Sequence, residues 1–409
     1  MPRQPKFRSP QPRRIRPGFA FRSRTEALEV RILPTVTASV TRGVLTLTGD
    51  AAANDVTIQT DAGGLRIVGN NGTLVRFAGV DSASVVFSGV TGLKGTFGDG
   101  ADSIKIDDGV TLKDVTLNLG DGANRLEIEG ATLTGKLTLT TGVGADVFEL
   151  RASAANVVTL NTGGGDDDVM FKAAVTSGAV TVSTGDGFDS VETDLGPGGV
   201  ANVLQNVSIS TGNQDDSVEL RHATIGKLTV NAGAGNDDIR LEDDVVQGSL
   251  SVDAGLGDDE VFLDDVQQTG GGSNLLATGA GVDQLRLKTS LFTSATTTNL
   301  GGGTGNQLEI DDCGFQASVT LTSAGTSDEI RIEQDNARAS LADFHGTVKA
   351  TVGPASAIRI GLNAMASYTR FFAGVTLKGG RPFAQVTAAA TRIEFASPPI
   401  LINAELETI

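Results

Sequence analysis

"AGAGNDDIRL", residues 232–241, sets two glycines two positions apart, an aspartate two further on, and then an alternating apolar pair. Written once, such a phrase is a turn. Written at a fixed spacing, it is a fold. Reduced to G-x-G-x-D or its near variants, it recurs with its first glycine at Gly98, Gly120, Gly142, Gly163, Gly185, Gly212, Gly233, Gly255 and Gly279. The spacings are 22, 22, 21, 22, 27, 21, 22 and 24, and degenerate copies follow around Gly302 and Ala324.

The flanks repeat with it. Apolar pairs such as Val158/Leu160, Leu228/Val230 and Leu250/Val252 precede the first glycine by five and three residues. Pairs such as Leu126/Ile128, Ile239/Leu241, Val261/Leu263 and Leu285/Leu287 follow the aspartate by two and four. One polar residue separates the members of each pair, which is the period-2 pattern of a strand with one buried face. Each unit is therefore a strand, a tight glycine turn, a strand and roughly eight variable returning residues. A unit this short cannot bury its apolar face alone, but stacked units bury a continuous core. The fold expected is all-β: a single-stranded right-handed parallel β-helix, a solenoid of about 11–14 coils with terminal caps. At about 4.8 Å per coil the rod is on the order of 60 Å long.

Composition agrees with a strand-and-turn architecture. Gly is 53 of 409 residues without a collagen period, Trp is absent and Tyr occurs once. The charge is divided: residues 1–31 carry nine Lys/Arg and two acids, a net +7, so a chain total of −17 leaves the remainder near −24. An acidic body repels phosphate backbones, which argues against nucleic acid as a partner. Cys313 is the one cysteine, so intrachain disulfides and multi-cysteine zinc sites are excluded. No apolar run of 18 residues exists, hence no transmembrane helix.

Four segments are expected: a basic leader or targeting segment at 1–38, N-terminal coils or a cap at 39–95, regular repeats at 96–340, and C-terminal coils with a cap at 341–409. In the last of these, Phe371, Phe372, Phe383 and Phe395 are expected to plug the end of the core. Within the leader, "LEVRILP", Leu28 to Pro34, resembles the LEPR-XLL motif that opens many large exported or surface repeat proteins of certain bacteria, with Val30 where that motif has proline. The resemblance implies an extracellular or cell-surface location.

Stacking in register would align Asp102, Asp146, Asp167, Asp189, Asp216, Asp237, Asp259 and Asp283 in one column, with Asn124 and Asn306 among them. Carboxylates one strand spacing apart repel. Raised pKa values, solvent at an exposed corner, or bound cations would relieve the repulsion. Calcium takes six to eight oxygens, and glycine turns expose carbonyls; equally, Asp or Asn hydrogen-bonds a turn backbone without any metal.

"AGAGNDDIRL", "AGLGDDEVFL", "TGGGDDDVMF" and "TGAGVDQLRL" also resemble the RTX (haemolysin-type) calcium nonapeptide, written here once per coil of about 22 residues instead of twice per shorter coil. The resemblance implies Ca²⁺ ligands among Asp146, Asp167, Asp189, Asp216, Asp237, Asp259 and Asp283. It assigns the turn to Gly142, Gly144, Gly163, Gly165, Gly185, Gly187, Gly233, Gly235, Gly255, Gly257, Gly279 and Gly281.

Two functions are consistent with this pattern. One is a monomeric, non-catalytic, structural or adhesive rod that meets a polysaccharide or protein of the cell surface or matrix. The alternative is a β-helix lyase or hydrolase of acidic polysaccharide, which would draw on the acid pairs Asp243/Asp244, Asp264/Asp265 and Asp311/Asp312 with Arg240, Arg286 and Arg331. Repetition of those pairs favours a solvated face over a catalytic site, and His222, His345, Tyr368 and Cys313 lack the partners that catalysis or sugar stacking needs.

Overall fold

A computed structural model describes residues 33–333, 341–360, 368–380, 384–388, 393–402 and 404–408. Residues 1–32 of the leader and Phe383 lie outside the described residues.

From residue 92 onward the chain winds as a parallel β-solenoid, about 13 turns in all. The strand entering each glycine turn pairs in parallel with its equivalents on the coils before and after: Val207 faces Leu228, which faces Leu250. The strand leaving the turn does the same, so Ile239, Val261, Leu285, Leu308, Ile330 and Ile358 form one column across six coils. All six are buried. Alternation drives this arrangement, because a slip of one residue would turn each apolar set out to water.

The returning segment has structure of its own. Two-residue strands such as Val245–Val246 and Gln267–Gln268 pair in parallel from coil to coil and make a third stack. In this third stack an aromatic ladder runs Phe292, Phe315, Phe344, Phe371, Phe395, with ring centroids 4.9–5.1 Å apart and planes within 16° of parallel. Phe371 therefore lines the core along the rod, and Phe395, half-buried, ends the ladder on the last described strand of this stack. Phe372 points outward and stacks on His345 at 4.5 Å.

The N-terminal end differs from a coil. Thr35–Thr41 and Val44–Thr48 form an antiparallel hairpin, as do Asp55–Asp61 with Gly64–Gly69 and Leu74–Phe77 with Val80–Ser82. The turns explain it: Arg42-Gly43 and Ala78-Gly79 have φ of 52° and 80°, and 50° and 81°. Two successive residues at positive φ are what a two-residue hairpin loop of matching twist requires. Val44–Thr48 and Asp55–Asp61 then pair in parallel with the first strands of the solenoid, so the hairpins cover edges that would otherwise be open.

Candidate functional site: the glycine corner and its aspartate column

Each coil bends at the G-x-G-x-D phrase, and bending there separates a backbone N–H from the carbonyl it would meet in a straight ladder. The aspartate of the next coil replaces that carbonyl. Asp146 N–H donates to Asp167 Oδ1, Asp167 N–H to Asp189, Asp189 N–H to Asp216, Asp216 N–H to Asp237, Asp237 N–H to Asp259 and Asp259 N–H to Asp283. The chain of bonds is unbroken from Asn54 through Asp102 and Asn124, and on through Asn306 to Asp328, at 2.7–3.1 Å. The column exists as the repeat spacing implied, but it faces inward: these aspartates are at most 4% exposed.

The second carboxylate oxygen is the unusual atom. Oδ2 of Asp102, Asp146, Asp167, Asp189, Asp216, Asp237 and Asp259 is buried without a hydrogen-bond partner. Asn124, in the same column, shows what surrounds that position, because its Nδ2 donates to the carbonyls of Gly120 and Gly122. An ionised aspartate would aim a negative oxygen at carbonyls that prefer a donor. Burial accordingly pushes Asp102, Asp167, Asp216 and Asp259 up to about 6 and Asp237 up to about 7, and raises Asp146, Asp189 and Asp283. Thr162, Thr184 and Thr211 place hydroxyls beside their own aspartates and moderate the rise. Asp237 and Asp259 have Ala232 and Ala254 at that position instead.

Calcium does not fit this column. Oδ1 is committed to a backbone N–H, and among the described residues no three His, Cys, Asp or Glu side chains gather into a metal-holding group. The donor set fits a hydrogen-bond ladder.

The glycines are fixed by the close approach of stacked backbones. Gly255 and Gly257 have φ of +113° and +131°, and a Cβ on either would lie 2.0 Å from Gly233 O and 1.8 Å from Gly235 O. The other turn glycines, from Gly142 and Gly144 through Gly163, Gly165, Gly185 and Gly187 to Gly279 and Gly281, occupy the same corner on their own coils.

A second, exposed ladder on the outside of the corner was not legible beforehand. Phe188 N–H donates to Asp166 Oδ1, Asn236 N–H to Asp215, Asp258 N–H to Asn236 and Val282 N–H to Asp258. Here the later coil donates to the earlier one, the reverse of the buried ladder.

The acid pairs resolve into the opposite corner. Asp243, Asp265 and Asp312 share one position with Ala152, Ala173, His222, Thr289 and Glu333, all with φ between 47° and 56°. Asp is tolerated there because its short polar side chain suits the left-handed region. Asp244 is buried, accepting Ala223 N–H at 2.7 Å, whereas Asp264 and Asp311 end strands in register with each other. Asp264/Asp265 and Asp311/Asp312 are thus equivalent, as their repetition implied, whereas Asp243/Asp244 is shifted by one residue. Arg240, Arg286 and Arg331 pair with Asp238, Glu260 and Glu329 on the outer face of the leaving strands. His222 Nε2 lies 3.3 Å from Asp243, and Cys313 is buried with its thiol pushed far up by burial.

The outer face of the entering strands has a different chemistry. From Val115–Asn118 to the strand ending near Ala234, the two outward columns nearest the glycine turn hold twelve residues over six successive coils, all Thr, Ser or Asn, while the outward column two residues earlier is mixed and includes Lys136, Val157, Asn206 and Lys227. Comparison of the chain with protein-family models, with curated proteins and with solved structures gives no match.

Proposed function

We propose that this chain is a non-catalytic structural rod of a bacterial surface or extracellular matrix, holding regular faces against other components. The observation that supports it is the repetition itself: every polar column found, buried or exposed, recurs from coil to coil. Catalysis needs one constellation that does not recur. The acid pairs that an acidic-polysaccharide lyase or hydrolase would use are corner and strand-end residues. The resemblance of Leu28–Pro34 to LEPR-XLL supports export.

The test is protease treatment of intact cells of the native host, followed by detection of the chain in cell and wash fractions. Removal of the chain without lysis is expected. A chain that stays protected until lysis, or purified protein that depolymerises an acidic polysaccharide, refutes the reading.

A further inference from the structure

We propose that the face of the entering strands binds the ordered water lattice of an ice surface. Two columns carry it. The first runs Thr116, Thr138, Thr159, Thr181, Ser208, Thr229, each facing the next in parallel register. The second runs from Asn118 through Thr140, Asn161, Ser183 and Ser210 to Asn231 in the same register. All twelve side chains are half-buried or exposed, and none of the first column's hydroxyls bonds to the described protein. Beyond them the array continues through Thr297/Asn299 and Thr320/Thr322, interrupted by Asp253, Leu275 and Ala277.

Geometry makes this a two-dimensional lattice. Neighbours are about 4.8 Å apart along the rod, and residues i and i+2 are roughly 6.7 Å apart along a strand. Such an array is matched point for point only by a partner that is itself periodic in both directions. Threonine suits the task, because its branched Cβ restricts χ1 and holds hydroxyl and methyl in fixed directions. Little rotamer freedom is then lost on binding.

Charge and area narrow the occupant. In a chain of net charge −17, these twelve positions hold no charge, so the two columns complement an uncharged surface, with Lys136 and Lys227 at their border. It holds no aromatic ring either, which removes the stacking platform by which proteins commonly hold sugars. Six coils by two columns cover on the order of 250–300 Å², well below the roughly 800 Å² per partner of a stable protein interface. A protein partner would have to reach past these columns onto the mixed residues beside them, whereas a crystal surface meets every position with the same weak contact.

The proposal goes beyond the structural reading and is tested apart from it, on the purified full chain in a nanolitre osmometer. The chain is expected to shape ice crystals and to separate freezing from melting. Thr159→Lys/Thr181→Lys, in the middle of the array, is expected to lose most of that separation. Met170→Lys, an outward position on the leaving strands, is expected to keep it. Circular dichroism checks that each variant is folded. A folded chain without effect on ice, equal activity in all three proteins, or retention on cellulose or chitin particles without effect on ice overturns the proposal. The cell-surface experiment is unaffected by any of these results.

Discussion

Asp237→Asn is the substitution that separates a hydrogen-bond column from a charged one. Asp237 lies at 2% exposure, accepts Asp216 N–H on Oδ1 and leaves Oδ2 unpartnered. Burial, then Asp259, Asp216 and Asp215, raise its pKa to about 7, against an ordinary value of 3.8. Because the folded value exceeds the unfolded one, the folded state favours the neutral acid. The contribution is complete below about pH 3.8 and is lost as pH rises through about 7. Each tenfold change in proton affinity is about 1.4 kcal/mol, so ionising Asp237 costs at most about 4 kcal/mol above pH 7. Asparagine keeps the acceptor for Asp216 N–H and supplies a donor where Asn124 already has one. The expected gain is about 1–3 kcal/mol at pH 8 and close to zero at pH 4, read from urea midpoints of the full chain at both pH values. Equal destabilisation at both pH values would refute the reasoning, since it would mean that Oδ2 serves as an acceptor the geometry does not reveal. Ala232→Thr gives the same sign at pH 8 by a separate route, restoring the hydroxyl that lowers Asp216 through Thr211.

Four further outcomes follow from the corners and the core. Gly255→Ala is expected to cost several kcal/mol, because its Cβ would meet Gly233 O at 2.0 Å, while Gly271→Ala, with nothing within 4 Å, should change the thermal midpoint little. Thr289→Gly should stabilise by about 1 kcal/mol, since a β-branched residue at φ 50° is strained and glycine is not. Phe344→Ala should cost about 3–5 kcal/mol by opening a cavity between Phe315 and Phe371, measured by chemical denaturation. Calcium and EDTA should leave the thermal midpoint of the full chain where it is; a rise that saturates with Ca²⁺ and not with Mg²⁺ would restore the metal column.

Period-2 pairs on both sides of G-x-G-x-D made the two long strand stacks and their register legible in the sequence, because burial punishes any slip at once. The third stack was not legible, for most of its separate strands are only two residues long and too short to show a period. Two of the N-terminal hairpins left a signal that periodicity hides: Arg42-Gly43 and Ala78-Gly79 each place a residue at positive φ before a glycine between the paired strands. The aspartate column itself was predicted from spacing, yet its direction was not, since spacing fixes which residues align and says nothing of whether they meet water or core. What decides direction is the neighbouring N–H. At a bend, one donor per coil loses its carbonyl, and a buried donor without an acceptor costs about as much as a lost hydrogen bond. A carboxyl or carboxamide two bonds from the backbone reaches that donor from inside. The same requirement accounts for Asn124 and Asn306 substituting freely in the column, and for Ser356 closing it by accepting Asp328 N–H. All three keep the accepting oxygen and none carries a charge, so the position asks for an acceptor and not for a negative ion.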